Sequence, residues 1–296
     1  MKQYIYILIS ILIALTGCDP AKNDKSKTLS VTINPQKYFL EQIVGDKYVV
    51  NCIVPSGSNP ESFDPAPSQM MALSNSEVFF KVGYLGIENT LLEKARQNNP
   101  NLKLIDCSAG IAPLEESCGH DHNHDSHQHE HHGHSGGDPH IWSSPATARK
   151  MIENMYQAVI ELDSVNADFY TANYDKLIDE IDNTASRVKE FIAKAPSKAF
   201  IIYHPALSYF AAEYDLKQYS IEHEGKNPSP AQLKQLIDTA KAEGIKVVFI
   251  QQEFDTKNAM TVAEAIGGKT ITIDLLSYNW SDEMIKIAKA LTQENE

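Results

Sequence analysis

From residue 29 to the C-terminus, short β-branched runs alternate with stretches whose apolar residues recur every three or four positions. This alternation limits the fold more than any other feature, because it reads as an α/β arrangement with largely parallel sheets. In the first half the expected strands are LSVTIN (29–34), YVVNCIV (48–54), EVFFKV (77–82) and LKLID (102–106). Helical patterns such as QKYFLEQIVG, closed by Gly45, and IENTLLEKARQ lie between them. In the second half the strands AFIIYH (199–204), KVVFIQ (246–251) and TITID (270–274) are separated by helices opening at Ser229-Pro230 and at Asp255. Serine before proline marks a helix start, since serine caps free amides and proline tolerates the first helical position.

Between the halves, Ser144-Pro145 opens one helix, and residues 165–194 carry a single long helical pattern ended by Pro196. At 1.5 Å per residue it would run roughly 45 Å, the length of two small lobes side by side. The expected organisation is therefore an N-terminal lobe over 29–162, a connecting helix over 163–196 and a similar C-terminal lobe over 197–296. The connector reads as a rigid strut.

The first seventeen residues, MKQYIYILISILIALTG, place a lysine before an apolar run too short to span a bilayer and end in small residues. This is the pattern of an export signal. Leu15-Thr16-Gly17-Cys18 resembles the lipobox of bacterial lipoproteins, which implies a lipidated Cys18, a polar tether to about residue 28 and a location outside the cytoplasm. An ordinary cleaved signal with an incidental cysteine is the alternative.

A formal net charge of −13, with no lysine or arginine cluster, argues against a nucleic-acid partner. Cys52, Cys107 and Cys118 follow Cys18 without CxxC spacing, so neither a zinc ribbon nor a redox dithiol is indicated. A Cys52–Cys107 disulfide is compatible with an oxidising compartment. Eight of the eleven histidines (His120, His122, His124, His127, His129, His131, His132 and His134) fall within GHDHNHDSHQHEHHGH. Imidazole binds zinc, copper and nickel, but this stretch has no apolar residue with which to hold eight rings in one geometry. Residues 118–137 are accordingly expected to be a disordered loop that gathers metal weakly.

An ordered site has different requirements. Asp138-Pro139-His140 precedes the Ser144-Pro145 helix, and Tyr203-His204-Pro205 ends a strand. Ligands of open α/β sheets collect at the carboxyl ends of strands, so one histidine from each half can enter a shared cleft. By the same placement Glu61, after YVVNCIV, and Asp274, at the end of TITID, add two carboxylates. Singly, each of the four is more often structural or solvated; together they supply a divalent-cation site. Glu253 and the loop residues Glu222, His223 and Glu224 are candidates for orienting a ligand imidazole through its other nitrogen. Trp142, Tyr203, Tyr209 and Phe210 read as core packing. Imidazole ligation predicts that affinity falls with acid, most steeply near pH 5–7.

The ordered set NPESFDPAPSQM, DPHIWSSP, YHPALSYFAAEYDL, FIQQEFDTKNAMTVAEAIG and ITIDLLSY resembles the metal-specific solute-binding proteins of zinc and manganese ABC importers, over nearly the whole chain from residue 29. The resemblance implies two α/β lobes joined by a long helix, one metal bound between them, and delivery to a membrane permease driven by a separate ATPase. It implies His140, His204 and Asp274 as ligands and departs at Glu61, where most zinc-type relatives read histidine after the proline. There Glu61 itself, a water or a histidine from the tract could complete the site. The expectation is a monomeric zinc-binding, non-enzymatic lipoprotein. The alternatives are a manganese or iron carrier, suggested by two oxygen donors, a secreted zinc hydrolase, for which no HExxH is present, and a metal buffer or adhesin in which the histidine tract alone matters.

Overall fold

A computed structural model describes residues 27–114, 137–222, 225–254 and 256–292. The N-terminal half contains β1 (Thr28–Val31), α1 (Asn34–Val44), β2 (Val49–Cys52), α2 (Pro67–Ser74), β3 (Val78–Lys81), α3 (Ile87–Asn98) and β4 (Lys103–Asp106). These strands form one sheet in the order β2-β1-β3-β4, every pair parallel. After α4 (Pro145–Leu162) and α5 (Ala167–Lys194) come β5 (Ala199–Ile202), α6 (Ser208–Glu213), β6 (Lys217–Ser220), α7 (Pro230–Ala242), β7 (Val247–Gln251), α8 (Lys257–Ile266), β8 (Lys269–Ile273) and α9 (Trp280–Leu291). The second sheet, β6-β5-β7-β8, is also parallel and repeats the order of the first. In each sheet the order reverses beside the first strand, which opens a crevice at the carboxyl ends.

The expected two-sheet α/β fold is present, with one strand the sequence reading omits. Strand β6 is KQYS, two of whose four residues are strongly polar, so it lacks a β-branched run. Its backbone is held by parallel pairing with β5, from Ala199↔Lys217 to Ile202↔Ser220. Only an edge strand, with one side unpaired, can be so polar.

Helix α5 is 28 residues long, about 42 Å at 1.5 Å per residue. Its buried face includes Tyr170, Leu177, Ile181, Val188 and Ile192. These join a single apolar cluster that runs from Leu29 and Phe39 in the first half to Phe200, Phe249 and Trp280 in the second. Polar ties reinforce the packing: Glu180 on α5 accepts from Tyr38 on α1 at 2.7 Å and from Ser281 on α9 at 2.5 Å. Two halves that share one core cannot separate without exposing it, which costs about 25 cal/mol per Å² of apolar surface.

The helix starts divide. Ser229 caps α7 as expected, its hydroxyl accepting from the amide of Gln232. Ser144 instead donates its hydroxyl to Glu213, and the Glu213 carboxylate takes the α4 amide of Ala146 at 3.0 Å. A charged acceptor from the second half thus replaces the local cap, which ties α4 to α6. Asp255 lies outside the described residues, and α8 begins at Lys257.

Cys52 and Cys107 are both free thiols, so the disulfide considered from the sequence is not formed. Cys107 is fully buried and its sulfur accepts from Gln36 Nε2, whereas Cys52 donates to the carbonyl of Val54. Each thiol is engaged with a different partner. Cys18 and Cys118 lie outside the described residues.

Candidate metal centre

Glu61 and His204 follow the carboxyl ends of strands, and His140 stands just before α4. Glu61 stands in the loop between β2 and α2, where its amide donates to Asn59 Oδ1 at 2.8 Å. His140 follows β4 through a long connection whose ends are joined, since the amide of Asp138 donates to the carbonyl of Leu114 at 2.8 Å. His204 comes two residues after β5, and Gln251 at the end of β7 clamps its backbone, donating from Nε2 to the His204 carbonyl at 2.6 Å.

The three side chains converge. His140 Nε2 and His204 Nε2 are 3.3 Å apart, and Glu61 Oε1 lies 3.5 Å from the first and 3.4 Å from the second. Among the described residues this is the group of metal-ligating side chains whose donor atoms lie within 4.8 Å of one another. A tetrahedral ion with bonds of about 2.0–2.1 Å needs donors about 3.3–3.4 Å apart. The triangle already has that size.

The remaining ring nitrogens are held by carboxylates. His140 Nδ1 is 2.8 Å from Asp138 Oδ1, and His204 Nδ1 is 2.8 Å from Glu222 Oε1. A carboxylate at Nδ1 fixes the proton there and turns the Nε2 lone pair toward the metal position. The rings are also packed. His204 stacks on Phe254 with centroids 5.1 Å apart, and His140 tilts against Trp142 at 5.2 Å.

The electrostatics follow from these contacts. Burial disfavours a charged His204, but the hydrogen bonds to Glu222 and Glu61 outweigh it and raise its pKa to about 10. Burial would likewise raise Glu61 and Asp138; for Glu61 the hydrogen bond to His204 and the charges of both histidines, and for Asp138 the charge and hydrogen bonds of His140, bring both below the usual carboxylate range. The site without metal therefore keeps a proton on His204 between two carboxylates.

Asp274 occupies the expected place after β8 but lies outside the converging group. Its Oδ1 accepts from the Leu276 amide at 3.0 Å, turning the side chain into its own loop. Burial raises its pKa and that of Glu253, each of which lacks a cationic partner strong enough to offset it. Glu253 lines the small pocket beside both histidines, together with Gln251, Phe254 and Leu275, but the orienting carboxylates are Asp138 and Glu222. Asp138 is the functional residue the sequence reading passed over. Its signal was the two-residue spacing to His140, which lets one carboxylate oxygen take both the amide and Nδ1 of that histidine. His223, Glu224 and the eight histidines from His120 to His134 lie outside the described residues.

The residues expected as core packing are buried and also organise the site. Trp142 donates its indole N–H to the Leu275 carbonyl at 2.8 Å, and Tyr209 donates to the Asp138 carbonyl at 2.9 Å. Tyr203 donates to Asn227 at 3.0 Å, within the loop that carries Glu222. These bonds run between the halves or into the ligand loops, so packing and ligand placement depend on the same rings.

The family described as zinc-uptake complex component A, periplasmic (ZnuA), matches residues 30–293. The chain belongs to this family. Among ZnuA relatives, the high-affinity zinc uptake system protein ZnuA of Bacillus subtilis is 32% identical over 273 residues, covering 91% of this chain and 84% of its own length. The manganese-binding lipoprotein MntA of Halalkalibacterium halodurans is 25% identical over 282 residues, covering 90% and 87%. A crystal structure of a ZnuA deletion mutant with zinc bound superposes with a TM-score of 0.81 at 35% identity, covering 92% of this chain and 98% of that one. The ZnuA fold and the two-sheet architecture described above are thus the same.

Proposed function

We propose that this ZnuA-family chain is the extracytoplasmic zinc-binding component of an ABC importer, capturing one Zn²⁺ on Glu61, His140 and His204 and handing it to a membrane permease coupled to an ATPase. The carrying observation is the triangle of donor atoms with sides of 3.3, 3.4 and 3.5 Å. Two neutral imidazoles and one carboxylate suit zinc, and a water or Asp274, after a change of side-chain direction, completes the tetrahedron.

Capture is an exchange. The arriving ion takes the Nε2 position of both rings and displaces the proton held on His204, while Asp138 and Glu222 keep the Nδ1 protons in place. Glu61 is the ligand suited to leave first. Its side chain is 36% exposed, against 7% for His140 and 13% for His204, and its loop is held by local turn bonds. Because one core runs through both halves, we expect delivery by adjustment of the Glu61 loop, with little change in the relation of the lobes.

In this reading the chain is monomeric, anchored through a lipidated Cys18, and has no turnover of its own. The loop from residue 118 to 137 supplies weak accessory binding, and residues 163–196 serve as the connector between the lobes at 29–162 and 197–296. Glu61 as an oxygen donor favours a second reading, a carrier of Mn²⁺ or Fe²⁺. Elemental analysis of the mature chain, followed by competition between Zn²⁺ and Mn²⁺, tests the function. One tightly bound zinc, lost in both His140→Ala and His204→Ala, is expected. Preference for Mn²⁺ would establish the second reading, and unaltered stoichiometry in both variants would refute the site. Hydrolysis of peptide, ester or phosphate substrates by the zinc-loaded chain would refute the transport assignment.

A further inference from the structure

Two of the exposed large apolar residues among those described, Val165 (93% exposed) and Phe169 (38%), stand close together in the chain at the approach to α5, near the point where the N-terminal chain joins the fold. The amide of Val49 donates to the carbonyl of Lys27, the first described residue, at 3.0 Å. Lys27 Nζ lies over the Tyr48 ring at 5.6 Å, and Lys47 Nζ lies over the Phe169 ring at 5.4 Å. Val165 lies in the 3-10 turn Ser164–Asn166 that leads into α5, and Phe169 in the first turn of α5. Both lysines act on Asp163, whose carboxylate accepts from Asn166 at 2.7 Å and from Tyr170 at 2.8 Å. The result is an apolar patch rimmed by two ammonium groups.

We infer that this face, formed by Val165 and Phe169 with Lys27 and Lys47, rests on the surface of the lipid bilayer to which the chain is tethered. The inference depends on the reading of Cys18 as lipidated. Nine residue steps separate Cys18 from Lys27, and at ~3.3–3.6 Å per step the tether reaches no farther than about 30 Å. Of the whole surface, the ground around Lys27 is held nearest the membrane, so even a weak contact there is made at high effective concentration. Apolar side chains flanked by lysines are what an interface accepts: the rings and methyls enter the headgroup boundary, and the ammonium groups stay with the phosphates. Asp163, on which both lysines act, keeps the face from being strongly basic, so apolar contact carries most of the attraction and the docking is reversible.

The orientation has a consequence for loading. Lys27 and Val49 stand at the amino ends of parallel strands, whereas Glu61 follows the carboxyl end of a strand in the same sheet. With this face on the membrane, the metal centre points away from it, toward the compartment from which zinc arrives. Delivery then requires the protein to lift off and turn on its tether.

Brominated-lipid quenching of single added tryptophans tests this on the full lipidated chain in vesicles of phosphatidylethanolamine and phosphatidylglycerol. Both native tryptophans, Trp142 and Trp280, are 1% exposed and give a constant background. Val165→Trp should be quenched severalfold more strongly than Met260→Trp, an exposed position on α8 of the other half, and adding Phe169→Asp to Val165→Trp should remove most of the excess. Equal quenching at the two positions in vesicle-bound protein overturns the docking face while leaving the anchor intact. Failure of the unsubstituted chain to float with vesicles, or flotation undiminished in Cys18→Ala, overturns the anchor and the inference with it.

Discussion

The proton on His204 predicts how zinc affinity depends on pH. With a pKa near 10 without metal, His204 is protonated at neutral pH, and the ion must displace that proton to reach Nε2. At pH 7 the competition lowers the apparent affinity about a thousandfold below its alkaline limit, roughly 4 kcal/mol. The sequence alone places the steep window at pH 5–7, where an ordinary imidazole titrates. Glu222 and Glu61 move it upward, so affinity should rise about tenfold per pH unit between pH 7 and 9. The same shift acts with opposite sign on the metal-free fold. A pKa raised from 6.5 to about 10 gives stabilisation that is complete below pH 6.5 and lost as pH rises through 10. Proton and zinc therefore substitute for one another between the same carboxylates. Titration calorimetry at pH 7.5 in two buffers of different ionisation enthalpy should show close to one proton released per zinc, and chelator competition should give the slope. Release of no proton at that pH, together with flat affinity from pH 7 to 9, would refute the assignment of a charged His204 in the empty site.

Three further outcomes follow from the contacts. Glu222→Ala should weaken zinc binding by about ten- to a hundredfold, measured by chelator competition, and Glu222→Gln should recover part of the loss because the amide oxygen still accepts from Nδ1. Ser229→Ala removes the α7 cap and should cost about 1 kcal/mol, a fall of about 2–4 °C in Tm with zinc affinity unchanged. Deleting residues 118–136 should leave one tight site and the same Tm, because the Asp138 amide already closes on the Leu114 carbonyl at 2.8 Å; loss of the tight site in that deletion would place a tract histidine among the ligands.

Much of the architecture was legible because it depends on short-range pattern. The alternation of β-branched runs and helical periodicity placed seven of the eight strands among the described residues, the long helix and the parallel sheets. Strand β6 was hidden because its four residues carry no periodic signal and owe their conformation to β5. At the site, His204 was visible as a histidine at a strand end, His140 as one just before a helix, and Glu61 as an acid where a ligand was due. Asp138 was overlooked because a carboxylate beside a proline is common in turns. Its role depends on a ring turned back two residues.

What the sequence by itself determined is the set of chemical groups, the order in which strand ends present them and the class of fold that gathers strand ends into one crevice. Only the tertiary structure decided which groups meet. Glu61, His140 and His204 are separated by 79 and 64 positions, and no local rule fixes a 3.3 Å approach between atoms that far apart in the chain. Asp274 shows the converse. It stands at the right strand end, yet its carboxylate takes the nearest amide of its own loop. A strand end positions a backbone, and the direction of a side chain is settled by the hydrogen bonds available to it once the core has closed.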